Sequence, residues 1–152
     1  MTNTQTTAPD PNLCKVIAEI ESSGSARALR FEPRVYRVYS LSHKSITDIV
    51  AAIHNCSHDT ANVIAATSFG AYQIMGFNLY TFGYRKSIFD FVASVADQLE
   101  YFDAFLTRSN INFTLDHLLK TPHDLMRFAY LYNGSEVYAR SIQTTAAKMG
   151  FV

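Results

Sequence analysis

The amino-acid sequence predicts a mostly helical α+β fold, a single helical domain with a small extended region after the first helix. Three observations predict it. Apolar residues recur at three- and four-residue intervals along most of the 152-residue chain, which is 48% apolar and 13% aromatic. Helix-start signatures punctuate these segments, as at Asp10-Pro11, Ser87 to Asp90 and Thr121-Pro122. Only Ser25 to Tyr39 departs from the helical pattern, first irregular and then with a hint of alternation at Leu29, Phe31 and Val35. A chain of this length buries enough surface to fold alone. No repeat or linker divides it, so a flexible tail is placed at residues 1–11 and the folded domain at 12–152.

Each element follows in order. Asp10 can cap the first helix, and Pro11 suits its first position. Leu13, Ile17 and Ile20 share one face, and Gly24 is a natural stop, so the helix ends about where Glu21 sits. Pro33 argues against a regular central strand, which leaves a short hairpin or extended arm. Ser45-Ile46-Thr47-Asp48 resembles a capping box for a helix to about Asn55, with Ile46, Ile49, Val50 and Ile53 on one stripe. Asp59 is expected to cap a segment from Thr60 to Thr67, and Gly70, Gly76 and Gly83 to mark loops. From the capping box at Ser87 to Asp90 one long central helix is expected to about Ser109, because Ile88, Phe91, Val95, Leu99, Phe102 and Leu106 keep helical period. A short helix covers Leu115 to Lys120, another runs from Thr121-Pro122 to about Tyr132, and the last from Ser135 to near Gly150.

Charge narrows the function classes. Lys plus Arg and Asp plus Glu number 13 each, with no dense basic run, which weighs against nucleic-acid binding through phosphate contacts. No stretch of about 18 apolar residues occurs, so no stable membrane insertion is expected. Met1 to Pro9 is polar and Thr-rich, without the basic start and apolar stretch of a secretory signal; it reads as a frayed tail. Cys14 and Cys56 fit no metal or redox spacing and read as buried thiols. His54 and His58, four apart with Asp59 adjacent, would share a helical face, but no acidic residue lies between the two and no further ligand is evident. No metal and no cofactor are expected.

Three short motifs carry the chemistry: Glu21-Ser22-Ser23-Gly24, Ser68 to Gly76, and Ala129 to Gly134. A carboxyl at a helix C-terminus meets the negative end of the dipole, and partial burial adds desolvation; both keep it protonated, as a general acid requires. Glu21 is therefore the candidate acid, against the plainer reading of an exposed helix-end residue, whereas Glu19 points elsewhere on the helix and reads as surface. In the second motif Gly70 and Gly76 allow tight turns, while Tyr72 and Gln73 can hydrogen-bond hydroxyl and amide groups of a ligand; the alternative is a helix-to-loop junction. In the third, Asn133 and Gly134 suit a left-handed helix end, and Tyr132 can reach a carboxylate or a sugar; the alternative is a C-cap with core aromatics. Tyr80 and Tyr130 are further candidates to line a cleft.

The series Glu-Ser-x-Gly, Gly-x-Tyr-Gln-Ile-Met and Ala-Tyr-x-Tyr-Asn-Gly resembles the goose-type lysozyme and lytic transglycosylase superfamily. It is most similar to the phage and prophage N-acetylmuramidases, over roughly residues 12–150. Leu29-Arg30-Phe31-Glu32-Pro33 matches that family's extended segment, and Gln73-Ile74-Met75-Gly76 is the most specific part. The chain departs in having Phe69 where a Trp is usual and in lacking a Gly-Arg-Pro between Glu21 and Glu32. The resemblance implies a lysozyme-like hydrolase that cuts the β-1,4 bond between N-acetylmuramic acid and N-acetylglucosamine in bacterial peptidoglycan, with Glu21 as general acid. It makes Glu32 a second carboxylate that activates water or stabilises the cation-like transition state, the alternative being a salt bridge to Arg30, Arg34 or Arg37. Thr67 and Ser68 can orient the water or else bond local backbone, and Tyr72, Gln73, Tyr132 and Asn133 position sugars or the acid. The rivals are a lytic transglycosylase, which forms 1,6-anhydro-muropeptides, and a non-catalytic peptidoglycan-binding or phage structural domain. Made in a bacterial cytoplasm and acting on the wall, such a protein needs a holin for release, or an injection machine and a matching immunity protein. One small domain points to a thin Gram-negative wall.

Overall fold

The structure, a computed structural model, describes residues 8–40 and 42–152. It is mostly helical, with ten helices and one three-stranded antiparallel sheet among the described residues. The chain divides into two compact units, Glu21–Phe102 and the flanking segments up to Ile20 and from Asp103 on, where sequence length suggested one. The divisions fall inside the first helix, α1 (Pro11–Ser22), and the seventh, α7 (Val95–Arg108).

The flanking unit is built from α1, the end of α7, α8 (Leu115–Lys120), α9 (Pro122–Asn133) and α10 (Tyr138–Lys148). Its core takes Leu13, Val16 and Ile17 from α1, with Leu106, Leu118, Phe128 and Ile142. Asp10 begins it. One carboxylate oxygen accepts the Leu13 amide at 3.1 Å and the Leu115 amide at 2.9 Å, so a single side chain caps α1 and α8 together. Pro9 is buried, so the order begins before residue 11. Of the frayed tail read from the sequence, Met1 to Thr7 lie outside the described residues. The last helix starts at Tyr138 rather than Ser135, whose hydroxyl instead accepts the Val137 amide. Cys14 is buried in α1, and no disulfide joins it to Cys56.

The central unit holds the sheet. Strand β1 (Leu29–Phe31) pairs with β2 (Thr67–Phe69), which pairs with β3 (Ile74–Met75). Leu29 opposes Phe69, and Ser68 lies between Arg30 and Met75. The middle strand is buried throughout and the edge strand β1 exposed. Pro33 does not extend the arm; it opens helix α2 (Pro33–Tyr39), since its fixed φ suits the first helical position and the missing N–H costs nothing there. Helix α3 (Lys44–His54) starts one residue before the capping-box-like Ser45, because Asp48 is engaged by Lys44 and His58 instead of turning back on the backbone. Ser57, not Asp59, caps α4 (His58–Ala65) by accepting the Thr60 amide at 3.2 Å. Thr47 Oγ1 donates to Asn62 Oδ1 at 2.6 Å, a buried bond between α3 and α4. Gly76 opens α5 (Gly76–Thr81) where a loop was expected; a Cβ there would run into the Ile64 carbonyl.

The expected long helix from Ser87 is two. The capping box at Ser87 and Asp90 opens α6 (Ile88–Ala93) as the sequence predicts, but Ser94 is extended at φ −111° and ψ 102°. Its hydroxyl accepts the Asp97 amide at 3.1 Å and so caps α7. The break changes which face is buried. Val95, on the predicted stripe, is 66% exposed, whereas Gln98 is 1% exposed. Its carboxamide oxygen accepts the Ala71 amide at 2.9 Å, and its nitrogen donates to the Ala26 and Phe91 carbonyls at 3.0 and 3.1 Å.

The His54–His58 pair of the sequence reading is separated by the left-handed Asn55. His54 packs on the fully buried Tyr80, whose hydroxyl lies 2.8 Å from Nε2, and the Ile88 amide donates to the same nitrogen at 3.4 Å. Burial holds the ring's pKa below 6.5, against a smaller opposing pull from Asp90. Because the folded state prefers the neutral ring, this site's stability is intact above the unfolded pKa and is lost as pH falls below it. Denaturant midpoints at neutral and mildly acidic pH should therefore show a decline that His54→Gln flattens; an unchanged slope would free His54 of the role. Gln98→Leu, which removes the partner of the Ala71 amide and of the Ala26 carbonyl and one of two bonds to the Phe91 carbonyl, should cost about 3 kcal/mol in unfolding free energy. A loss under about 1 kcal/mol would show that the amide does not hold these segments.

Candidate active site

The central unit gathers Glu21, Glu32, Ser68, Tyr72 and Gln73, five of the residues the sequence singled out; Tyr132 and Asn133 belong to the flanking unit. Glu21 is half-buried on the last turn of α1, which Ser23 and Gly24 end at φ +53° and +75°. Ser22 fixes this helix end: its hydroxyl donates to the Ala71 carbonyl at 2.9 Å. The Ala71 amide in turn is held by Gln98, so both polar groups of one residue are committed. The Ala28 carbonyl accepts the Gly70 amide at 2.8 Å, which closes the connection from the helix end to the same turn.

That turn runs from Gly70 to Gln73. Gly70 has φ +80°, and a Cβ on it would lie 2.6 Å from Gln98 Oε1. Only glycine lets the backbone pass this close to the buried amide. Gln73 is itself left-handed at φ +48°, and its amide nitrogens, backbone and side chain, both donate to the Gly70 carbonyl at 3.1 Å. Its side chain thus helps to hold the turn. Tyr72 stacks one ring face on Phe102, with centroids 4.2 Å apart and planes 8° from parallel, and remains half-exposed.

For Ser68 and Thr67 the structure shows the second of the two alternatives weighed from the sequence, bonding to backbone. Ser68 is 1% exposed and its hydroxyl donates to the Arg30 carbonyl at 3.2 Å; Thr67 Oγ1 donates to the Val63 carbonyl at 2.7 Å. Both hydroxyls serve local backbone, and Ser68 pins β1 to β2. Glu32 follows β1. Its amide donates to the Ala66 carbonyl at 2.9 Å, and Oε1 accepts from Arg30 Nε at 2.6 Å, the salt bridge weighed from sequence. The pairing with Arg30 restrains this carboxylate.

In the flanking unit, Asn133 is the exposed last residue of α9, and Gly134 at φ +78° ends the helix as its Asn-Gly pair predicts. Tyr132 lies in an aromatic cluster: it stacks with Phe128 and Tyr138 at 5.6 and 5.8 Å and meets Phe105 edge-on at 5.5 Å. Tyr130 is exposed, and Tyr80 is fully buried and lines no cleft. Gln98 is the residue that periodicity missed. A signal was present, since Ser94-Val95-Ala96-Asp97 has the same Ser-x-x-Asp spacing as the true capping box seven residues earlier.

A mostly helical chain with a small three-stranded antiparallel sheet is consistent with a lysozyme-like fold. A family model described as N-acetylmuramidase matches residues 30–149, and the chain belongs to that family of peptidoglycan-degrading glycoside hydrolases. It is 37% identical to the endolysin of Enterobacteria phage PRD1 over 132 residues, 84% of this chain and 89% of the relative. No solved structure matches it significantly. The family match takes in Glu32, the Ser68 turn, Tyr132 and Asn133, and begins beyond Glu21.

Two glycines test the turn. Gly70→Ala meets both a left-handed φ and the Gln98 amide, and should cost at least about 2 kcal/mol and most of the lytic activity. Gly24→Ala meets the φ alone, with no atom within 4 Å, and should cost about 1 kcal/mol. Equal costs in thermal unfolding would refute the close approach.

Proposed function

We propose that this enzyme is a muramidase that cuts the β-1,4 bond between N-acetylmuramic acid and N-acetylglucosamine, with Glu21 as general acid. The observation that carries this reading is the Ser22–Ala71 hydrogen bond: it ties the helix end bearing Glu21 to the turn bearing Tyr72 and Gln73. A proton donor and sugar-binding groups are then held in one frame, as proximity catalysis requires. Glu21 gives its proton to the glycosidic oxygen as the C1–O bond breaks, and a cation-like sugar forms at C1. Glu32 takes a proton from water attacking C1 from the opposite face, which yields a reducing end with inverted configuration; Arg30 aims its carboxylate. Tyr72 offers its ring and hydroxyl to a pyranose, and Gln73 its carboxamide oxygen. Ser68 acts at one remove, by holding β1 and therefore Glu32 in register. No cofactor takes part.

The Arg30 pairing of Glu32 also supports a second reading, a lytic transglycosylase. There Glu21 protonates the same oxygen and then takes the proton of the muramic C6 hydroxyl, whose oxygen closes on C1 to give a 1,6-anhydro sugar without water. By likeness to the phage endolysin, we assign the protein to host lysis, made in the cytoplasm and reaching the wall through a holin's pores. Injected delivery with an immunity protein is the rival route.

Mass spectrometry of fragments from purified peptidoglycan tests both chemistries. Wild type should release muropeptides with reducing muramic ends, and Glu21→Gln should fall at least about a hundredfold while remaining folded. Anhydro ends would move the assignment to the transglycosylase; undiminished turnover would remove Glu21 from the role; binding without fragments would favour the non-catalytic domain. Glu32→Gln should lose at least about tenfold if it is the base, and more than Arg30→Gln. Equal small losses would mark the pair as structural.

A further inference from the structure

The neutral total charge conceals a local asymmetry. Between Ser22 and Thr47 the chain carries Arg27, Arg30, Arg34, Arg37 and Lys44 against one acid, Glu32. All five cations are exposed. Glu32 takes Arg30 and Asp48 takes Lys44, whereas Arg27, Arg34 and Arg37 enter no ion pair among the described residues. On the same helix α2 apolar side chains face outward: Val38 is 69% exposed, and Phe31 of β1 leans edge-on against Tyr36 of α2. Beside α2 lies a groove of about 390 Å³ lined by Arg34, Val35, Val38, Tyr39, His43 and Phe77. Its floor is aromatic, with Tyr39 stacked on His43 at 4.2 Å and tilted against Phe77 at 4.9 Å. Val35, Val38 and Phe77 make it apolar, and Arg34 is its one permanent charge.

We propose that this face, α2 with its groove, is a docking surface for an anionic phospholipid bilayer. The match is of two kinds at once. Unpaired guanidiniums are drawn to lipid phosphates, and each Arg near an anionic membrane strengthens binding about fivefold. Val35, Val38 and the groove give apolar area that the acyl boundary can take up, the pattern of interfacial rather than spanning segments. Among the described residues no helix is long and apolar enough to cross a membrane, so the attachment is to the surface. Glycan strands would need a groove rich in hydrogen-bonding side chains, and an anionic polymer would leave the apolar groove unused. None of the residues varied below takes part in the proposed catalysis, so this inference stands apart from the assignment of Glu21 and Glu32. A wall hydrolase held at a membrane face is confined next to the wall it cuts.

The test is sedimentation of the whole protein with vesicles. It should pellet with mixed phosphatidylglycerol and phosphatidylcholine vesicles at low salt, and remain in solution with phosphatidylcholine alone. Arg34→Gln with Arg37→Gln should weaken binding about twentyfold, and Val38→Asp at least about tenfold, with helical circular dichroism and peptidoglycan release unchanged. No pelleting with the anionic vesicles, or equal pelleting of the double variant, would overturn the proposal. So would binding of soluble lipoteichoic acid as tightly as the vesicles and untouched by Val38→Asp, which would make the face a site for anionic polymer.

Discussion

The carboxamide of Gln98 is the constraint on which the central unit depends. It sits where water cannot reach, and each of its polar atoms has a backbone partner: the Ala71 amide, the Ala26 carbonyl and the Phe91 carbonyl. These belong to the glycine turn, the connection after α1, and α6, segments with no common strand or helix. A buried amide is stable only when fully bonded, so the three positions are specified jointly. Gly70 is the complement of this amide, since any side chain there would occupy the place of the Gln98 oxygen. From this centre the order passes outward, through Ala71 to Ser22 and the helix end bearing Glu21, and through β2 to β1 and Glu32.

Seen this way, the site is made mainly of backbone restraint. Ser22, Ser68 and Gln73, polar residues in or beside the site, spend hydrogen bonds on neighbouring carbonyls. The groups proposed to meet a sugar are few: Glu21, Glu32, Tyr72 and Gln73. Rigid support of few acting groups is what positioning a saccharide over a proton donor requires. The sheet also accounts for Phe69, where the resemblance implies a Trp. The residue is buried in the middle strand opposite Leu29 and Ile74, where an apolar ring suffices.

Much of this was legible in the sequence, and the failures share a cause. Caps read from residues with a committed neighbour held: Asp10 with Pro11, the box at Ser87, Thr121-Pro122 and Asn133-Gly134 all fall where predicted. The box at Ser45 failed because Asp48 had better partners in Lys44 and His58, and the one at Ser94 was overlooked because an apolar stripe ran through it. Periodicity counts apolar residues and is blind to a polar side chain that the interior satisfies, so Gln98 was invisible while Val95 was placed inside. Pro33 was ambiguous by nature, a strand breaker and a helix opener alike. Glu21, Tyr72 and Gln73, singled out by motif spacing, fall in one unit, whereas the service of Ser68 to the Arg30 carbonyl depends on strand register, which no local motif records.

Asp10 has a consequence of another kind. Its one oxygen bonds amides that stand 102 residues apart, at Leu13 and Leu115. The beginning of the described chain is therefore the partner of its later half and not an appendage to α1. During synthesis the cap on α1 can form at once through Leu13, but the bond that joins Asp10 to α8 must wait until the ribosome has passed Leu115, which delays closure of the flanking unit. The flanking unit is thus completed only after the central unit, Glu21–Phe102, has been made.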